Sequence, residues 1–157
     1  MNTAILSTVA ERAPEGFEVI VWDIADIPLF NEDLESCLPA AVARLRQAVS
    51  SSDGVLLASP EYSHGTSGVL KNVLDWLSRP YRQAPLAGKK VLVLSSSPAS
   101  TGGIRSHAQI QAALDGIQAQ RLDYPQIVIT HADKKISGSR FTDERTLEFI
   151  CEAISHF

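Results

Sequence analysis

The chain has 157 residues, 45% of them hydrophobic and 20% charged, and a formal net charge of −4 at pH 7. That is enough chain for one domain, residues 1–157, with a buried core. The mild acidity and the scatter of Lys and Arg argue against a nucleic-acid-binding surface, and no apolar run approaches the roughly 18 residues that cross a membrane.

Residues 1–9 have no basic region followed by an apolar block and do not read as a signal peptide. Cys37 and Cys151 fit no metal-ligand spacing and read as reduced thiols of a cytoplasmic protein. Residues 3–13 read as a helix with Ile5, Leu6 and Val9 inward, ended by Pro14 and Gly16. The run Phe17-Glu18-Val19-Ile20-Val21-Trp22 reads as a strand, and 23–30 as a surface connection. Pro39 opens a second helix with a stripe of Val42, Leu45 and Val49.

Val55-Leu56-Leu57-Ala58 is an unbroken apolar run, the pattern of a strand covered on both faces. A polar stretch, 59–65, breaks it and reads as a tight loop. Val69, Leu70, Val73, Leu74 and Leu77 then recur at three-and-four spacing, a helical stripe. Residues 79–88 read as a loop. Val91-Leu92-Val93-Leu94 is a second buried strand, 95–103 a small-residue loop and 104–120 a helix. Residues 126–130 form the last strand and 131–140 a polar loop. The final helix has Thr142 as its expected N-cap and Leu147, Ile150, Cys151 and Ile154 inward.

Strands alternating with helices predict an α/β fold, a parallel sheet between helical layers. Ligands of such sheets lie beyond the carboxyl ends of the strands. Two loops fall there, 60–65 and 95–103. The first offers hydroxyls, a carboxylate, an aromatic ring and a glycine, which suit either a cradle for a flat heterocycle or an ordinary turn. The second is rich in serine and glycine, which lets backbone approach a ligand closely. His64, His107, His131 and His156 make no HxxxH or HExxH pattern, and no GxSxG elbow surrounds Ser59 or Ser63. Lys71, Asn72, Asp75 and Trp76 read as structural.

Pro60-Glu61-Tyr62, followed by Gly68-x-Leu70-Lys71-Asn72-x-Leu74-Asp75-Trp76-Leu77-Ser78-Arg79, resembles the NADPH-dependent FMN reductases. The resemblance implies a flavodoxin-like fold with sheet order 2-1-3-4-5. It runs from Asn2, which matches the last asparagine of the family's phosphate-binding loop. The family's first strand and nearly all of that loop are therefore expected to be missing. Three readings of the gap stay open: a start assigned at an internal methionine, another segment or chain in that place, or loss of the phosphate site. The last would weaken FMN binding.

The resemblance also implies FMN as cofactor, NADPH or NADH as hydride donor, and Asn2, Pro60, Glu61, Tyr62, Ser63 and Ser96 as cofactor-binding residues. No side chain is expected to be catalytic in its own right, because the flavin carries the chemistry. A small electron acceptor (quinone, flavin, azo compound or metal ion) reduced by a ping-pong scheme is implied, as is a homodimer or homotetramer with contacts near Trp76 and 79–88. Ser63, Gly65 and Ser67 depart from the family's usual Asn, Ser and Pro. Arg105 matches a frequent family arginine and fits either an anionic ligand or a salt bridge. The alternative function is a flavodoxin-like, non-catalytic binding module with weak or no FMN.

Overall fold

The computed structural model describes residues 1–157. Helix α1 (Asn2–Glu11) and α2 (Ala40–Ser51) precede strand β1 (Gly54–Tyr62), which turns back into β2 (Gly65–Thr66). Then come α3 (Gly68–Leu77), β3 (Lys90–Ser96), α4 (Ile104–Ile117), β4 (Gln120–Arg121) and β5 (Ile127–Ile129). A small hairpin, β6 (Ile136–Ser137) and β7 (Arg140–Phe141), leads to α5 (Glu144–Ile154).

The sheet is built on β3. It pairs in parallel with β1 along seven positions, Gly54↔Lys90 to Pro60↔Ser96. On its other edge it pairs in parallel with β4 and then β5. Successive strand side chains point to opposite faces, and the core divides accordingly. Val91 and Val93 pack with Leu57 and the apolar stripes of α2, α3 and α4. Leu92 and Leu94 pack on the other face with Ile127, Ile129, α1 and α5. This is the three-layer α/β fold expected from the alternation.

Residues 17–22 do not form the expected strand. A strand needs a ladder, and residues 17–22 lie beside none: over Gly54–Pro60 β1 is bonded to β3 alone, and no segment pairs with its other edge there. No backbone amide from Glu18 to Ile24 donates to another backbone group. Ile20 is 71% exposed, and only Val19 packs onto the inner cluster. The alternation there is real, but nothing lies beside it to turn alternation into a sheet.

Other boundaries shift for local reasons. Residues 60–62, read as loop, continue β1, because Glu61 and Tyr62 pair antiparallel with Thr66 and Gly65. Val69 is exposed, and Trp76 takes a fully buried place in that helix instead. Helix α4 stops at Ile117 because Gln118 turns left-handed (φ 65°) to feed β4. Cys151 sits half-buried at the edge of the α5 stripe, where Ala153 is buried, and its thiol donates to the Arg12 carbonyl at 3.2 Å.

The apolar connection 23–30 is pinned to α3 by two side chains. Asn72 Oδ1 accepts from the Phe30 amide at 2.7 Å, while Nδ2 donates to the carbonyls of Ile27 and Pro28 at 3.3 and 3.0 Å. Trp76 Nε1 donates to the same Pro28 carbonyl at 2.8 Å. Asn72→Ala leaves three backbone groups without this partner, so it is expected to lower unfolding free energy by about 2–3 kcal/mol in a urea titration.

Asp143, not Thr142, caps α5. Its carboxylate accepts from the Thr146 amide at 3.2 Å and the Thr146 hydroxyl at 2.7 Å, and pairs with Lys135 at 2.7 Å. Burial works to raise its pKa, but the bonds from Lys135 and Thr146 outweigh it and hold the group below its ordinary value. A depressed folded-state pKa contributes stability above the unfolded value that is lost as pH falls through the folded one. Asp143→Asn, which keeps the cap but loses the charge, is therefore expected to cost about 1 kcal/mol at pH 7. The gap from the unaltered protein, followed by urea midpoints, should close as pH falls below the carboxylate range.

Candidate active site at the carboxyl end of the sheet

Because β1 and β3 are in register, their ladder ends with Pro60 and Ser96 side by side. The chain leaves β1 as a two-residue hairpin, with Ser63 and His64 both left-handed at φ 49° and 62°. This turn matches the right-handed twist of its strands, and Asn-Gly is its preferred sequence. Tyr62 stands 67% exposed beside the tip. The chain leaves β3 through 97–103, where Gly102 and Gly103 take φ 59° and 86°. A Cβ on Gly102 would lie 2.5 Å from Val128 Cγ1, so this tight crossing over β5 admits only glycine.

The start of α1 joins the same end of the sheet. Ser96 Oγ donates to Asn2 Oδ1 at 2.8 Å, with Ser96 fully buried. The first backbone bond of α1 runs from the Ile5 amide to the Met1 carbonyl, so the preceding amides have no partner within the helix. The exposed amides of Ser100 and Thr101 likewise donate to no group of the chain.

Beneath the mouth, polar side chains bind the hairpin to α4. Ser59 Oγ, fully buried, meets Thr66 Oγ1 at 2.9 Å and accepts from Ser106 Oγ at 3.0 Å. Gln109 Oε1 accepts from the Thr66 amide at 2.7 Å. Glu61 Oε2 accepts from the Arg105 amide at 2.9 Å, and Oε1 from its guanidinium at 3.0 Å. Burial pushes the Glu61 carboxyl up, but the bonds from Arg105 and the Ser106 amide prevail and hold it below its ordinary value. Arg105 is thus an ion-pair partner here.

Of the six residues expected around the cofactor, Asn2, Ser96 and Pro60 meet at one point. Tyr62 and Ser63 project on the hairpin above it, and the Glu61 side chain turns away to α4. Sequence reading missed Thr66, Ser106 and Gln109, and gave Ser59 no structural role. Ser106 and Gln109 lie three residues apart, the spacing of one helix face. That spacing was the available clue.

The family model for NADPH-dependent FMN reductases matches residues 1–134. The chain belongs to this family. It is 34% identical to an NAD(P)H-dependent FMN reductase of Pseudomonas aeruginosa, over 95% of this chain and 81% of that one. It is 34% identical to a quinone reductase of Escherichia coli, over 99% of this chain and 85% of that one. Among solved structures it resembles FerB, a flavoenzyme NAD(P)H:(acceptor) oxidoreductase of Paracoccus denitrificans. The TM-score is 0.82 at 30% identity, covering 99% of this chain and 86% of that one.

The turn Ser63-His64 carries a testable cost. A non-glycine residue in the left-handed region costs about 1 kcal/mol. Ser63→Asn combined with His64→Gly is expected to raise unfolding free energy by about 1 kcal/mol, read as a higher urea midpoint at unchanged slope.

Proposed function

We propose that the protein is an NAD(P)H-dependent reductase that holds FMN at the carboxyl end of its sheet, between the 62–65 hairpin and loop 97–103. The observation that carries this reading is the convergence of Asn2, Pro60 and Ser96 at the end of the registered β1–β3 pair. The donor set suits the cofactor. The unpartnered amides at the start of α1 and the partial positive charge of that terminus favour a phosphate. The amides of Ser100 and Thr101 are free to donate to carbonyl oxygens at the edge of a flat ring, and Tyr62 offers an aromatic surface beside it.

Bound FMN would supply the hydride chemistry, accepting from NADPH or NADH and delivering to a quinone, flavin, azo compound or metal ion in ping-pong order. The chain's own groups bind and orient. The free amides of loop 97–103 would stabilise negative charge at the edge of a bound ring. The Ser59 hydroxyl is committed to Thr66, Ser106 and the Pro60 carbonyl.

The reading includes a cytoplasmic setting and a homodimer or homotetramer, supported by family membership. Trp76 is fully buried within its own chain, which leaves residues 79–88, with Tyr81 70% exposed, as the contact element.

The test is FMN titration followed by turnover. Protein of this sequence is expected to take up one FMN per chain with quenched flavin fluorescence. It should then oxidise NADPH or NADH in the presence of a quinone, with parallel double-reciprocal lines. A folded protein that binds no FMN and oxidises neither donor would contradict the proposal and favour a non-catalytic module.

A further inference from the structure

Helix α4 begins without a cap of its own. Its N-cap residue is Gly103, which has no side-chain oxygen to offer the first free amides. Glu61, distant in sequence, serves instead. Its carboxylate takes the Arg105 amide with one oxygen and the Arg105 guanidinium with the other. The Glu61 side chain is only 11% exposed, against 49% for Arg105. The carboxylate is thus sunk between hairpin and helix, and its partner covers it from solvent.

Two further bonds continue the seam, Gln109 to the Thr66 amide and Ser106 to Ser59. Loop 97–103, the other wall of the cleft, runs directly into the first turn of α4. The two walls are therefore joined through the β1–β3 ladder below and through this seam, in which Glu61 bonds the first turn of α4, next to loop 97–103. The ladder ends at Pro60↔Ser96. Beyond that level, Glu61 is the first residue tying the hairpin to α4.

We propose that Glu61 is a positioning residue of the flavin site, which acts through Arg105 to fix the hairpin relative to loop 97–103 and does not touch the ring with its own carboxylate. This rests on the reading that FMN binds at this end of the sheet. It gives the expectation that Glu61 borders the cofactor a particular form, since both carboxylate oxygens are engaged by Arg105 of α4.

The test uses Glu61→Ala, Glu61→Gln, Arg105→Ala, Arg105→Lys and the Glu61→Ala/Arg105→Ala double variant, with urea midpoints confirming that each folds. Hydrogen exchange of the 62–66 segment is followed in flavin-free protein, and FMN Kd by fluorescence quenching. Glu61→Ala is expected to speed exchange of the hairpin about tenfold and to raise FMN Kd about tenfold. Glu61→Gln, which can still accept from the helix amide, should fall between it and the unaltered protein, and Arg105→Lys should lie close to the latter. The double variant should be no worse than Glu61→Ala, because two residues acting through one contact are not additive. A raised Kd with unchanged hairpin exchange would show direct contact with the cofactor and overturn the proposal. So would a double variant whose effects simply multiply. If the unaltered protein binds no FMN, the function reading fails separately, and unchanged exchange in Glu61→Ala would refute the clamp itself.

Discussion

The structure depends on the parallel pairing of β1 with β3. Seven matched positions fix the level at which their shared ladder ends, and so place Pro60 beside Ser96. A shift of one residue would move every side chain of β1 to the other face. Leu57 would leave the cluster formed with α2, α3 and α4, and Leu56 the opposite one. The two-sided apolar core thus specifies the register, and the register specifies where the two site loops begin.

Above that level, hydrophobic burial no longer holds the structure, and polar bonds take over. Ser59, Thr66, Ser106, Gln109, Glu61 and Arg105 form a seam between the hairpin and α4. Such bonds are directional, as a binding cleft requires: they set a distance between walls where an apolar contact would set only an area. Their net contribution to stability is modest, about 1 kcal/mol each. The strained turn at Ser63-His64 works against them. A similar division appears elsewhere, where Asn72 and Trp76 use polar atoms to hold the apolar connection 23–30 against α3.

Much of this was legible in the sequence. The runs 55–58 and 91–94 read as strands and are strands, 91–94 buried throughout and 55–58 buried only at Leu57, and the stripes of α2 and, Val69 and Trp76 apart, α3 announced their inner faces. Pro60-Glu61-Tyr62 and the Lys71-Asn72 helix led to the family. What failed to read out was whatever depends on a neighbour. Residues 17–22 alternate like a strand but have no ladder beside them. Residues 60–62 look like loop but find Gly65 and Thr66 to pair with. Nothing local shows that the start of α4 lies beside Glu61 and engages its carboxylate. Periodicity reports which face is apolar, whereas pairing and long-range capping are set by residues far away in the chain.

The most direct test of the central claim is a hydrogen-exchange footprint of FMN on the full chain. The account predicts slowed exchange at three separate segments: the first turn of α1, residues 62–65 and residues 98–101. The remainder of the protein should be little changed. Protection confined elsewhere, such as the groove between the later turns of α3 and α4 lined by Leu74, Asp75, Ala113 and Ile117, would contradict it. So would FMN binding with no protection at the hairpin.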